Sequence, residues 1–235
     1  MIICTVLTGT KYSVADVNNL YNSLIYNTTI KFDFLCYTDY QKGFHKDIII
    51  KPITTKDKKL QWYKLDFFKA GFTDHEDIIT MDIDLDIVGN VDFIFDNYSG
   101  FVGTHRWWWT WREDRLNMPI ALSGTMYKFK NGEHENIVNT FESDIDYWQE
   151  YFIKNGVTNG PVNGEQHFVQ QMLIDSNTKF SYFPAQHIIK WNKKDSTMQL
   201  KLENAYERYT NNEFIDDQVF DSWHPDIRIV HYAGS

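Results

Sequence analysis

The sequence predicts an α/β fold: one mostly parallel, twisted sheet with helices on both faces. Short apolar runs alternate with segments of helical period as far as Met81. The runs are nearly continuous rather than alternating, as expected of parallel strands buried on both sides. Polar groups collect directly after them, at Thr8-Gly9, Thr38-Asp39 and Asp82-Ile83-Asp84. Sheets of this kind bind ligands beyond the carboxyl ends of their strands.

The first strand is Ile2 to Leu7, ended by Thr8-Gly9-Thr10. Val14 to Ile25 follows as a helix, with apolar residues at Val14, Val17, Leu20, Tyr21, Leu24 and Ile25. Phe32 to Tyr37 is the second strand, and Ile48-Ile49-Ile50 is the third, stopped by Pro52. Trp62 to Ala70 is expected to be helical, with Trp62, Leu65, Phe68 and Lys69 on one side and Gly71 as its stop. Ile78 to Met81 is the next strand. In the second half, Gly100 to Thr104 and Ile120 to Phe129 read as strands. Asp144 to Lys154 and Gly164 to Ile174 read as helices, and Phe180 to Phe183 and Ile227 to Tyr232 as closing strands. No repeat, low-complexity tract or linker interrupts the chain, so one domain over residues 1–235 is expected.

Composition narrows the function. Of the 235 residues, 43% are hydrophobic, enough for a sizeable core. Aromatics make up 17%, and their rings serve either the core or stacking on sugars and bases. A net charge of −9 argues against a broad nucleic-acid surface, which needs basic patches to neutralise phosphates. An anionic ligand would then depend on a metal or a few placed cations. Cys4 and Cys36 lie in apolar runs and are expected to be reduced core residues. The N-terminus has no basic region before its apolar run, and no stretch approaches the ~20 apolar residues of a membrane span. No membrane span and a cytoplasmic location are the expectations.

Asp82, Asp84 and Asp86 are spaced by two. On an extended chain all three would share one face. Carboxylates crowded after a buried strand repel one another, and burying one uncompensated costs several kcal/mol. A hard divalent cation such as Mn²⁺ or Mg²⁺ relieves that cost and can bridge a diphosphate. A solvated acidic turn would show the same spacing, so the pattern alone leaves both open. Asp144-Ile145-Asp146 repeats it, but after Glu142-Ser143 and before a Tyr- and Trp-rich helix, where it reads as a cap. His231 is in phase with Ile227 and Ile229 on the last strand. It is either a core histidine or, if that strand end lies near Asp84, a ligand.

The run Ile79-Thr80-Met81-Asp82-Ile83-Asp84-Leu85-Asp86-Ile87-Val88-Gly89-Asn90-Val91-Asp92-Phe93-Ile94-Phe95 resembles the central motif of family 8-like glycosyltransferases of the GT-A fold, the glycogenin and galactosyltransferase group. Trp62-Tyr63-Lys64-Leu65 resembles the helix before that motif. Leu122-Ser123-Gly124-Thr125-Met126 resembles its Asn-Ser-Gly-x-Met strand start, and Gly164-Glu165-Gln166-His167-Phe168 its Asp-Gln helix, with Glu165 for Asp. His231-Tyr232-Ala233-Gly234 resembles its His-x-x-Gly. The landmarks keep the family's order along nearly the whole chain.

The resemblance implies a GT-A nucleotide-diphospho-sugar transferase fold. Residues 1–95 would form its nucleotide-binding half and residues 96–235 its acceptor side. It implies Mn²⁺ (or Mg²⁺) held by Asp82, Asp84 and His231, with Asp86 outside the set. Leu7, Thr8, Gly9 and Tyr12 would line a nucleotide pocket, joined by Ile83 and Gly234. Asp39 would lie near base or ribose, or else act as a turn residue. Lys64 would approach a phosphate or a motif aspartate, or else lie on a helix surface. Ser123 and Gly124 would let backbone approach the donor sugar, and Glu165 and Gln166 would be catalytic. The implied reaction moves a hexose, UDP-hexose favoured as donor, to a carbohydrate or other hydroxyl acceptor. Retention is favoured; inversion would make Glu165 the base.

The family pattern continues after His-x-x-Gly with a Lys-Pro-Trp segment whose Lys meets the diphosphate. This sequence ends at Ser235: either Lys64, Arg106 or Lys190, in that order, supplies the cation in its place, or the sequence is a minimal or truncated version of the pattern. Trp107, Trp108, Trp109 and Trp111 cannot all face one core, and exposed Trp implies a binding role. An acceptor-sugar platform is one reading of them, a hydrophobic lid or oligomer contact the other. Two rival functions stay open. A sugar nucleotidyltransferase would need a richer phosphate loop than Thr8-Gly9-Thr10-Lys11. A non-catalytic carbohydrate-binding protein would use the Trp run and have no need of Asp82 and Asp84.

Overall fold

The structure, a computed structural model, describes residues 1–106, 122–155, 164–192 and 226–233. Its central sheet begins with β1 (Ile2–Leu7), β2 (Asp33–Thr38), β3 (Ile48–Pro52) and β4 (Asp77–Met81), all mutually parallel. β6 (Phe101–His105) and β8 (Phe180–Tyr182) are also parallel to each other. β7 (Leu122–Lys130) runs antiparallel to both its neighbours, β4 and β6. The strand order is β3-β2-β1-β4-β7-β6-β8. Pro52 is tolerated in β3 because that strand is an edge, where a missing backbone donor breaks no ladder.

Alternate residues of each parallel strand feed two cores, as a pleated strand requires. Ile2 and Cys4 of β1, Leu35 and Tyr37 of β2 and Ile78 of β4 face one side. There they pack on a 3₁₀ segment, Leu60–Phe68, and on the helices α2 (Glu135–Ser143), α3 (Ile145–Lys154) and α4 (Glu165–Asp175). Ile3 and Leu7, Phe34 and Cys36, and Ile79 and Met81 face the other side. That side is covered by α1 (Val14–Tyr26) through Val17, Leu20, Tyr21 and Leu24. Both cysteines are buried and unbridged, as expected.

A second sheet has the order β5-β10-β9, from Leu85–Ile87, Ile229–Ala233 and Ile188–Asn192. β10 is antiparallel to β5 and parallel to β9. Leu85, Ile87, Ile188 and Ile229 join the α1-side core, which fixes this sheet beside the carboxyl end of β4.

Two expectations are corrected. The segment read as helical with one apolar side is helical, as a 3₁₀ helix over Leu60–Phe68, but its apolar character is not one-sided. Every residue from Trp62 to Phe68 is buried, so no solvent face exists to give an amphipathic period. The three aspartates do not share a face. The chain bends at Ile83 and Asp84, and Asp86 emerges on β5 exposed to solvent. Asp144 caps α3 by accepting a hydrogen bond from the Tyr147 N–H at 3.0 Å, which accounts for the second Asp-x-Asp as a helix start. No helix among the described residues is long and apolar enough to cross a membrane.

Candidate active site

Three strands converge on Asp82. β4 delivers it at its carboxyl end, and the ladder to β7 runs one step further, the Asp82 N–H donating to the Thr125 carbonyl at 3.0 Å. On the other side the Tyr232 N–H of β10 donates to the Asp84 carbonyl at 2.9 Å. This pairing sets His231 opposite Leu85. Asp82, Asp84 and His231 therefore meet, with one ligand atom from each within 4.8 Å of the others. His231 Nε2 lies 3.3 Å from Asp84 and 4.0 Å from Asp82. Asp86 is not among them.

The carboxylates are held by different means. Lys64 is buried and forms an ion pair with Asp82, while its ammonium also donates to the Gly124 carbonyl at 2.9 Å. Burial penalises the Lys64 charge, but Asp82 and Glu165 outweigh it and raise its pKa. Burial likewise raises the Asp82 carboxyl; Lys64 opposes this and Asp84 adds to it. At Asp84 burial is overcome by hydrogen bonds, from His231 first and then from Tyr12, and the carboxyl is held down at about 2. The Tyr12 hydroxyl donates to Asp84 at 2.5 Å. Mutual repulsion is thus relieved by one cation, one imidazole and one phenol, all within reach of the pair.

A second carboxylate centre adjoins the first. Gly164 opens α4 with φ 155°, and a Cβ there would come within 3.0 Å of the Trp62 ring. That close approach seats the start of α4 against the 3₁₀ segment. The Gln166 side-chain oxygen then accepts from the Gly124 N–H at 2.9 Å. A Cβ at Gly124 would press on both Gln166 and Glu165. Glu165 is buried, 3.9 Å from the Lys64 ammonium, and burial pushes its carboxyl up to about 7 despite Lys64. Lys64 thus bridges the two centres.

The remaining candidates divide. Leu7 is buried in the core, and Thr8 and Gly9 follow it at the same edge, where the Tyr40 hydroxyl donates to the Gly9 carbonyl at 2.7 Å. Asp39 is exposed just beyond β2. Ile83 is buried between the two aspartates. Ser123 is buried, with its hydroxyl 2.7 Å from that of Thr125. Arg106 is buried at the end of β6, and Lys190 on β9 is the register partner of His231. Trp107, Trp108, Trp109, Trp111 and Gly234 lie outside the described residues. One residue the sequence did not single out touches the cluster directly: the Thr125 hydroxyl lies 2.9 Å from His231 Nδ1. Nothing local marks that contact, since the two residues are 106 positions apart.

No family model matches this chain, and neither does any curated protein. Among solved structures, it is similar to the galactosyltransferase LgtC in complex with donor and acceptor sugar analogues. The TM-score is 0.61 at 11% identity, over 100% of this chain and 87% of that one. An active-site mutant of LgtC gives a TM-score of 0.58 at 10% identity, over 100% and 88%. At such identity the likeness is one of fold, and the fold is that of GT-A glycosyltransferases.

Proposed function

We propose that the chain is a metal-dependent glycosyltransferase that moves a hexose from a nucleotide-diphosphate sugar, UDP-hexose favoured, to a hydroxyl acceptor. The observation that carries the reading is the meeting of Asp82, Asp84 and His231 at the carboxyl end of β4, within a GT-A fold. This is where an open α/β sheet receives its ligand. LgtC, of the same fold, has been solved with donor and acceptor sugar analogues.

The donor set fits a divalent cation. Two carboxylates supply the hard oxygen ligands that Mn²⁺ and Mg²⁺ prefer, and the imidazole tilts the mixed set towards Mn²⁺. When bound, such an ion neutralises the charge developing on a leaving diphosphate. The protein's own groups divide the remaining work. Leu7, Thr8, Gly9, Tyr12 and Asp39 form the nucleotide side, joined by Ile83 and Gly234. Tyr12 holds Asp84 in orientation and Lys64 balances Asp82. Ser123 and Gly124 bring backbone to the sugar, and Glu165 and Gln166, beside Gly124, are the catalytic pair. Trp107, Trp108, Trp109 and Trp111 serve the acceptor. Residues 1–95 are the nucleotide half and residues 96–235 the acceptor half. The proposed outcome is retention. If inversion occurs instead, Glu165 is the base, and full activity of Glu165→Gln removes it from that role.

The test is a thermal-shift and hydrolysis screen of the chain against UDP-, GDP- and CMP-sugars, with and without Mn²⁺. Stabilisation by a UDP-sugar that requires Mn²⁺ is expected. No response to any donor overturns the proposal.

A further inference from the structure

We propose that Thr125, backed by Ser123, is the positioning residue that aims His231 at the metal centre. This rests on the reading of Asp82, Asp84 and His231 as that centre. The two nitrogens of an imidazole point in different directions, and what one of them bonds decides which is left to face a ligand. In His231, Nε2 faces Asp84 at 3.3 Å, and Nδ1 faces the Thr125 hydroxyl at 2.9 Å. The Thr125 hydroxyl in turn meets that of Ser123 at 2.7 Å. Thr125 is fully buried and Ser123 is 4% exposed, so water does not readily replace either hydroxyl.

A pair of hydroxyls suits this place for a reason that a carbonyl or carboxylate does not share. A hydroxyl both donates and accepts. With Nε2–H turned to Asp84, Nδ1 needs a donor, and Thr125 supplies it while accepting from Ser123. With Nε2 turned to a cation, Nδ1 carries the proton and needs an acceptor. Thr125 then accepts from Nδ1–H and donates to Ser123. The imidazole keeps its bond to β7 in both states, so its ring does not have to turn when the site is filled. The backbone supports the same placement. Thr125 is held beside Asp82 by the hydrogen bond from the Asp82 N–H to its carbonyl. One residue thereby anchors two of the three ligands, one through its backbone and one through its side chain.

The test uses the full chain as wild type, Thr125→Val, Thr125→Ser and Ser123→Ala, with two measurements. Calorimetric titration with Mn²⁺ is expected to show affinity weakened about tenfold or more in Thr125→Val while the metal-free chain stays folded, and recovery in Thr125→Ser. Ser123→Ala is expected to weaken affinity in the same direction by less. Ring-nitrogen NMR of His231 in the metal-free chain is expected to show an Nδ1 resonance shifted in Thr125→Val and restored in Thr125→Ser. Wild-type Mn²⁺ affinity in Thr125→Val, or an unmoved Nδ1 resonance, overturns the proposal. If Thr125→Val fails to fold, wild-type affinity in Ser123→Ala with loss in Thr125→Ser does so. A chain that binds no Mn²⁺, or whose His231→Ala variant binds it unchanged, overturns the metal-centre reading instead. The NMR measurement then still decides the Thr125 contact on its own.

Discussion

Asp82 and Asp84 differ in chemistry although they are two residues apart. Asp82 is tied to a buried ammonium, whereas Asp84 takes hydrogen bonds from an imidazole and a phenol. Removing the charge at either should therefore disable a metal centre in different ways. Asp84→Asn loses a ligand and the carboxylate that faces His231 Nε2. Mn²⁺ affinity is expected to fall at least tenfold, measured by calorimetry, and an unchanged affinity would remove Asp84 from the ligand set. Glu165 carries a pH dependence. Its carboxyl is pushed from an ordinary 4.5 up to about 7 by burial. The neutral form is thus favoured in the folded chain. The associated stability is fully present below pH 4.5 and is lost as pH rises through about 7. Thermal melts of the metal-free chain from pH 4.5 to 8 should show wild type losing stability across that window and Glu165→Gln losing less. Parallel profiles would mean that Glu165 ionises in the fold as it does in the unfolded chain.

At the scale of elements, the beginnings of helices decide what reaches the site. Asp144 begins α3 as a side-chain cap, and Asp144→Ala should cost about 1 kcal/mol, read by chemical denaturation. It should leave Mn²⁺ binding untouched, whereas a loss of Mn²⁺ binding would mean that the second Asp-x-Asp is more than a cap. Gly164 begins α4 at φ 155°, where a Cβ would crowd the Trp62 ring at 3.0 Å. Gly164→Ala should therefore destabilise the chain and also displace Glu165 and Gln166 from Gly124. A Gly164→Ala chain as stable as wild type would show that the α4 start can shift without strain. The strands were the most legible elements: β1 has the bounds read from the sequence, and β2, β4 and β8 agree to within a residue at each end. α2 was not foreseen, although Ile137, Val138 and Phe141 keep helical spacing. Its Asn, Thr and Ser content is equally that of a loop. β5 and β9 were missed because short strands of a small sheet become strands only by pairing with β10, at the far end of the chain.

For the whole molecule, most of the buried aromatic rings among the described residues lie on one side of the sheet. Trp62 stacks on Phe141 at 5.0 Å and touches Phe168 at 6.1 Å, joining the 3₁₀ segment to α2 and α4. Phe68, Phe101 and Phe129 stack on one another across the sheet face. Trp62 is fully buried. Trp62→Ala should cost about 3–5 kcal/mol, seen as a large drop in denaturant midpoint. A cost near that of a surface substitution would mean that the helical layer is not anchored there.

The strand phase, the two-sided burial and the aspartate pair were written in neighbouring residues, because pleat, period and spacing are local properties of the chain. The position of His231 beside Asp84, the turning of Lys64 inward to Asp82 and the contact of Thr125 with His231 were decided only by tertiary structure. Each depends on which strands lie side by side at the carboxyl end of β4. That order is set by how the two cores pack, and no local stretch of sequence carries it.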